Sequence, residues 1–523
     1  MGEQDRLNRR DLVKAATVGA GVMATGGLLS SPSDAAERVP QRWDREADVV
    51  IAGYGFAGAA AAITAHDQGA RVLILEKAPE RFRGGNSRVS ANGVFWPNDV
   101  EKAKIYFRAC SGPYVDDISD EMLDVWAKEL YANRAWLEAL GWQPVRYGGA
   151  EYPDLPGADC VSKFVHGAGS VGGARLWSQV IEAAITARKI EILYETPAVR
   201  LVRRGGDIIG VAAQQDGKQV HIKANRAVIL STGGFEHNPK MIRSFLIDLP
   251  YAAPLGTPYN TGDGIRMAMD IGADLWHMAN VAGPMWAFAV PDYPVASFIR
   301  MPKPSYVWVA KDGKRFVAEG NPMAMTSHGK LSLNGRWVQM PCPLPVHAVF
   351  DETVRAGGGI GGHHSGQTMG WDYVYSVYDW SGDNSKEIEK GWIKKADTIR
   401  ELAAIIDLPP DTLEATVQRF NGFAQGQKDE DFNRAPASLK PIQTPPFYAM
   451  QLSPAFLNTQ GGPRRNKDAQ IVDTEGNPIS RLYSSGELGA IYGFQYQGGG
   501  NIAECLAFGR IAGTNAAKEA SWS

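Results

Sequence analysis

The stretch Ala47-Asp48-Val49-Val50-Ile51-Ala52-Gly53-Tyr54-Gly55-Phe56-Ala57-Gly58 decides the fold. Its apolar run to Ala52 reads as a short buried strand that passes straight into Gly53, Gly55 and Gly58 at G-x-G-x-x-G spacing. An Ala-rich helix from Ala59 to Gln68 follows, then a second strand from Arg71 to Leu75, ended by Glu76. Gly53 permits the tight turn, Gly55 lets the backbone approach a pyrophosphate, and Gly58 lets the helix pack on the strand. The helix N-terminus at Ala57 then faces the phosphates, while Glu76, next to Lys77, can accept from ribose hydroxyls. The reading is a Rossmann-type β–α–β unit that binds a dinucleotide.

Outward from this unit the chain is an ordinary globular one. Lys+Arg 54 against Asp+Glu 57 leaves a net charge of −3, which offers a polyanion little to bind, so nucleic acid is not an expected partner. A 44% hydrophobic content over 523 residues supplies a sizeable core, enough for two or three domains at about 150 residues each. Glycine is the outlier, with 58 residues, or about 11% against a usual level of about 7%. Cys110, Cys160, Cys342 and Cys505 lie far apart with no CxxC and no Cys/His ligand spacing. A disulfide scaffold, an iron–sulfur cluster, haem attachment and structural zinc are therefore not expected, and no metal is assigned.

Residues 1–36 read as an address. Arg9-Arg10 precede a weakly apolar Gly/Ala-rich run to Leu29, then Ser/Pro and the small pair Ala35-Ala36, which resembles a twin-arginine export signal and predicts a periplasmic or secreted protein. The glycines make this run too weak for a span of about 20 apolar residues, so no membrane span is expected after its removal.

The remaining glycines cluster in order. Gly84-Gly85-Asn86-Ser87 and Asn92-Gly93 follow the second strand; Ala227 to Leu230 leads through Ser231-Thr232 to Gly233-Gly234; Gly262-Asp263-Gly264 comes next. Near the end, Gly486-Glu487 precedes Tyr496-Gln497-Gly498-Gly499-Gly500-Asn501-Ile502. Over about 470 residues these blocks resemble the FAD-dependent family that contains soluble fumarate reductases, succinate dehydrogenase flavoproteins, urocanate reductases and ketosteroid dehydrogenases. The resemblance implies an α/β fold: a Rossmann-type FAD-binding domain from 45–280 and 441–523, with an inserted α+β capping substrate domain from 281–440. It assigns to the cofactor Gly53, Gly55, Ala57, Gly58, Glu76, Lys77, Gly85, Asn86, Ser87, Gly93, Gly233, Gly234, Asp263, Gly486, Glu487, Asn501 and Ile502. Where the succinate dehydrogenase branch tethers its flavin through a histidine, this chain has Asn86-Ser87, which implies non-covalent FAD. Gly357-Gly358-Gly359-Ile360-Gly361-Gly362 repeats the first spacing, but His363-His364-Ser365-Gly366 follows and opens no helix, so it reads as a loop.

The resemblance also implies the chemistry, hydride transfer between flavin N5 and one carbon of a C–C bond activated by a carbonyl or carboxylate, while a protein group moves the other proton. The fumarate reductase clamp is absent. Its proton-donating arginine falls at Met323, its histidine at Asn458, and its last arginine at Tyr496 or Gln497. Leaving two carboxylates desolvated without cations costs about several kcal/mol per ion, which argues against a fumarate-like substrate. Ketosteroid dehydrogenases instead carry tyrosine then Gly-x-Gly, which Tyr496 and Gly500 match. Tyr496 is thus the expected polarising residue or acid, by donating a hydrogen bond or through a depressed pKa; Tyr152 or Tyr147 stands in for the second tyrosine. His328, His363 and His364 are the insert's acid–base candidates. Trp286, Phe288, Trp308, Trp371 and Trp380 suit either an aromatic wall for a flat apolar ligand or the core of the insert. Electrons are expected to pass to or from a quinone, a cytochrome or oxygen. The alternatives are a carboxylate-directed enoate reductase of fumarate or urocanate type, with Arg464, Arg465 or Arg336 as a replacement clamp, and a flavin-binding electron carrier or ligand-binding module without turnover.

Overall fold

A computed structural model describes residues 39–167, 172–249, 251–319, 328–333 and 336–522. The export-signal assignment and Met323 lie outside these residues. The chain divides into two compact units, one with residues to Ile247, 256–282 and 458–523, the other with 248–255 and 283–457.

The first unit is built on the quoted stretch. Arg45–Ala52 is a strand buried from Val49 onward, and Phe56–Asp67 is the helix that follows it. Four strands run parallel in the order Pro478–Ser484, Lys218–Leu230, Arg45–Ala52, Val72–Leu75, with Glu191–Leu193 beyond and Gln470–Val472 antiparallel at the other edge. Val50 pairs with both Leu73 and Val228, so these apolar runs are buried on both faces, as parallel sheets require. The hairpin Ala198–Arg204/Asp207–Gln215 extends from the long strand. Gly500–Lys518 packs on Phe56–Asp67 through Gly509 and Gly513, where a Cβ would collide with the Ala57 and Ala61 carbonyls. Elements from both ends of the described residues thus close one unit.

The inserted unit is a different sheet, of seven strands. Ala296–Phe298, Met285–Ala289, Phe447–Phe456, Val346–Asp351 and Tyr306–Val309 lie in that order, antiparallel, with helices Ile399–Ile405 and Pro410–Gly426 among its helical elements. Phe447–Phe456 is an inner strand of this sheet, so the boundary read at 440 falls instead after Leu457. Alternation misleads there: the run FYAMQLSPAF reads equally as a strand of either domain. Trp286, Phe288, Trp308 and Trp380 form one buried core with Tyr306, Phe350 and Tyr448. These rings pack the insert, and the aromatic-wall reading does not hold for them.

Candidate active site

Four parallel strands of the first unit end in register: Ala52 pairs with Leu75 and Leu230, and Leu230 with Ser484. The next residue of each, Gly53, Glu76, Ser231 and Ser485, lines one cavity. Ligands of doubly wound sheets sit at this carboxyl edge because the loops there diverge. Gly53 has φ +106, and a Cβ on it would strike the Ser231 carbonyl. Glu76, nearly buried, accepts from the amides of Tyr54 (2.9 Å) and Ala78 (2.7 Å) with one oxygen each. The carboxyl therefore ties the glycine turn to the end of the second strand and keeps a lone pair on each oxygen for the cavity.

The donor set fits a dinucleotide. The helix Phe56–Asp67 has Gly55 as N-cap with no side-chain cap, so its first-turn amides, Ala57 among them, open on the cavity as an anion site. The Phe56 amide instead donates to Ser87 Oγ at 2.7 Å, which draws the second glycine loop over the first. Lys77 reaches Asp263 at 2.8 Å. Asn86 faces a buried carboxyl pair: its Nδ2 donates to Glu236 Oε1 (2.7 Å) and Glu487 Oε2 (3.1 Å), while its Oδ1 accepts from the Thr257 amide (2.8 Å).

Of the residues read for the cofactor, Gly53, Gly55, Ala57, Glu76, Lys77, Gly85, Asn86, Ser87, Gly233, Asp263 and Glu487 line this cavity. The others stand behind it. Gly58 lets the helix approach the Gly53 carbonyl, Gly93 lies against the Tyr147 phenol, Gly234 against Thr459 and Glu236, and Gly486 against Ala57. Asn501 and Ile502 sit in the first turn of Gly500–Lys518. The sequence reading missed Thr257, Asn260, Pro197 and Glu236. Only the position of Ser231-Thr232, directly after a buried parallel strand, carried a signal of this kind.

Around the terminal glycines a second cluster forms in the same unit. Tyr496 is buried, its phenol oxygen accepts from the Gly499 amide at 3.2 Å, and its ring meets Tyr492 edge-on. Tyr152 is wholly buried and donates to the Tyr496 carbonyl at 3.3 Å. Gln497 Oε1 accepts from Tyr106 (2.6 Å) and from the Glu151 amide (3.0 Å), and Glu151 pairs with Lys163 at 2.9 Å. Gly500 begins the helix against Tyr492, where any Cβ would collide. Burial pushes the Tyr496 phenol well above its usual range despite the amide that it accepts from. Burial therefore favours the neutral phenol over the depressed-pKa alternative. Tyr147, also pushed up by burial, lies at the Gly93 turn.

The insert's candidates have other tasks. His364 Nε2 lies 3.1 Å from the Trp380 carbonyl and its ring packs on Gly359, so it fastens the glycine loop. His363 contacts Ser376 Oγ at 3.0 Å. Arg315 and Glu319, from the block that resembles the reductases' Arg-Phe-x-Asn-Glu, pair with each other at 2.6 Å, and Arg315 also pairs with Asp429 at 2.8 Å. The replacement clamp fares similarly. Arg464 pairs with Asp274 at 2.6 Å, Arg465 is buried on Glu504 and the Leu488 carbonyl, and Arg336 is exposed.

Comparison with known proteins agrees with this geometry. The model of the FAD binding domain family matches residues 48–502. The chain is similar to 3-oxosteroid 1-dehydrogenase of Mycolicibacterium smegmatis, 27% identical over 92% of this chain and 98% of that protein. It is also similar to NADH:fumarate oxidoreductase of Klebsiella pneumoniae, 28% identical over 90% of this chain but only 48% of that longer protein. Among solved structures, 3-ketosteroid delta1-dehydrogenase from Sterolibacterium denitrificans superposes with a TM-score of 0.73 at 23% identity, covering 90% of this chain and 99% of that one.

Proposed function

The chain belongs to the FAD binding domain family and is an FAD-dependent oxidoreductase of CH–CH groups; on that premise we propose that its substrate is a neutral ketone or enone rather than a dicarboxylate. FAD bound in the cavity supplies hydride exchange at its N5. The Ala57 amide and Lys77–Asp263 hold the phosphate end, Glu76 takes the ribose, and Asn86, occupied by three hydrogen bonds and no nucleophile, leaves the flavin untethered.

One observation carries the substrate class: the buried phenol of Tyr496, kept neutral by that burial and set beside the Gly499 amide, in the Tyr496-Gln497 pair that the resemblance matches to an arginine of the fumarate reductases. A neutral donor in a desolvated site stabilises charge that develops on a carbonyl oxygen, and it offers a carboxylate no countercharge. Tyr152 fixes the segment by bonding the Tyr496 carbonyl. The tied positions of Arg464 and Arg465 weigh against the carboxylate-directed reading. An external quinone, cytochrome or oxygen serves as electron partner, and the leader directs export. Among the described residues no helix is long and apolar enough to cross a membrane.

The test is steady-state turnover of 3-keto steroids and other enones against fumarate and urocanate. Oxidation or reduction of the neutral carbonyl compounds alone is expected; robust fumarate turnover overturns the proposal.

A further inference from the structure

The cofactor cavity has a wall that hydride transfer does not use. Glu236 is fully buried, and Glu487, half-buried, lines the cavity. A single amide, Asn86 Nδ2, donates to both carboxyls; Asn260 Nδ2 adds a hydrogen bond to Glu236 at 2.7 Å. Among the described residues no lysine or arginine lies within ion-pair distance of either carboxyl. Two carboxyls that share a donor, without a cation and shielded from water, do not both ionise.

We propose that Glu236 and Glu487, bridged by Asn86, form a carboxyl pair that holds one proton in the oxidised holoenzyme and takes up a second from solvent when the cofactor is reduced. The balance is two electrons from substrate or reductant and one proton to the cofactor, with one further proton from water to the pair, which offsets the negative charge gained in the cavity. Burial pushes Glu236 up to about 7; burial and then repulsion by Glu236 push Glu487 up to about 8. The other groups facing the pair leave it in control. Glu504, pushed up to about 7 by burial although Arg465 is bonded to it, titrates equally in wild type and Glu236→Gln and drops out of their difference, while burial keeps Cys505 and Tyr496 protonated and His237 neutral.

The inference rests on FAD occupancy and on no particular substrate, so a chemical reductant suffices. Mediated reductive titration of the holoenzyme in weakly buffered solution near neutral pH, with an indicator dye, counts protons taken up per two electrons. Wild type is expected to take up about one proton more than Glu236→Gln, and its infrared redox difference spectrum to carry a protonated-carboxyl band that Glu236→Gln and Glu487→Gln both lose. Equal proton counts in wild type and Glu236→Gln, each with full flavin, overturn the proposal. Glu236 does not line the cavity, so its variant decides the matter if Glu487→Gln sheds the cofactor. If both variants lose flavin, absence of the band from wild type overturns it.

Discussion

Two segments of this chain share G-x-G-x-x-G spacing, Gly53 to Gly58 and Gly357 to Gly362, and they fold into opposite things. The first opens a twelve-residue helix, Phe56–Asp67; the second opens one turn, Gly362–Ser365. At 53–58 what a Cβ would strike is mainly backbone: the Ser231 and Gly53 carbonyls. At 359–361 it would mainly strike side chains, the His364 and Trp380 rings. Glycine spacing reports close approach without saying to what. The residues after it decide, because only an uncapped helix N-terminus of several turns turns bare amides into an anion site.

The largest expected effect breaks the first segment alone. Gly53→Ala places a Cβ on a backbone carbonyl at φ +106, where neither partner can give way. Purified protein is expected to be colourless and destabilised by more than about 4 kcal/mol. Gly359→Ala presses on the His364 ring and the Ser381 carbonyl within the insert, and its folded fraction is expected to keep its flavin. Absorbance of the two variants in the flavin band measures the contrast; equal loss of flavin would erase it.

Next in size is a buried ion cluster of the insert. Arg315→Met leaves Glu319 and Asp429 buried without their shared cation, which costs about 3–5 kcal/mol, read by denaturant unfolding. A change in substrate KM without loss of stability would instead give Arg315 a substrate role. A smaller effect belongs to Tyr496→Phe, expected to lower kcat by about 10²-fold at unchanged flavin content. His364→Ala is expected to leave kcat within about twofold, since general acid–base help of the size in question is absent from a ring that fastens a loop. A matching kcat loss in both would move the proton-transfer group into the insert.

The cofactor unit was legible because its function is written in backbone requirements. Gly53, Glu76 and the strand ends answer to local sterics and to parallel pairing, which leave a pattern in consecutive residues. Glu236 was missed for the opposite reason: its partners Asn86 and Asn260 and its neighbour Glu487 come from three separate segments, and no spacing relates them. The insert gave up less. Its tryptophans read alike as pocket or core, and only the sheet that carries both Met285–Ala289 and Tyr306–Val309 brings Trp286 and Trp308 into one core with Trp380. Arg315 and Glu319 resemble the reductases' block in one dimension, and only the fold shows that the cation is already paired with Glu319 and Asp429.

The smallest effect is the sharpest on this contrast, because the two units are expected to respond to alkali with opposite sign. In the cofactor unit Glu236 and Glu504 are raised to about 7 and Glu487 to about 8, from an ordinary 4.5. The native unit then binds more protons than the unfolded chain, so this stabilisation is present below the ordinary value and is lost as pH rises toward 8. His237 and His277, lowered to about 4, act against it only below 6.5, where stability falls with falling pH. In the insert, burial lowers Lys330 to about 7 from 10.5. There the unfolded chain binds more protons above 7, and stability rises with pH. Scanning calorimetry between pH 7 and 8, with flavin fluorescence marking the melting of the cofactor unit, should show that transition move down by a few degrees while the other holds or rises. Glu236→Gln should flatten the first slope and Lys330→Met the second. Parallel downward movement of both transitions would mean that the units melt as one and that the buried carboxyls govern the whole chain.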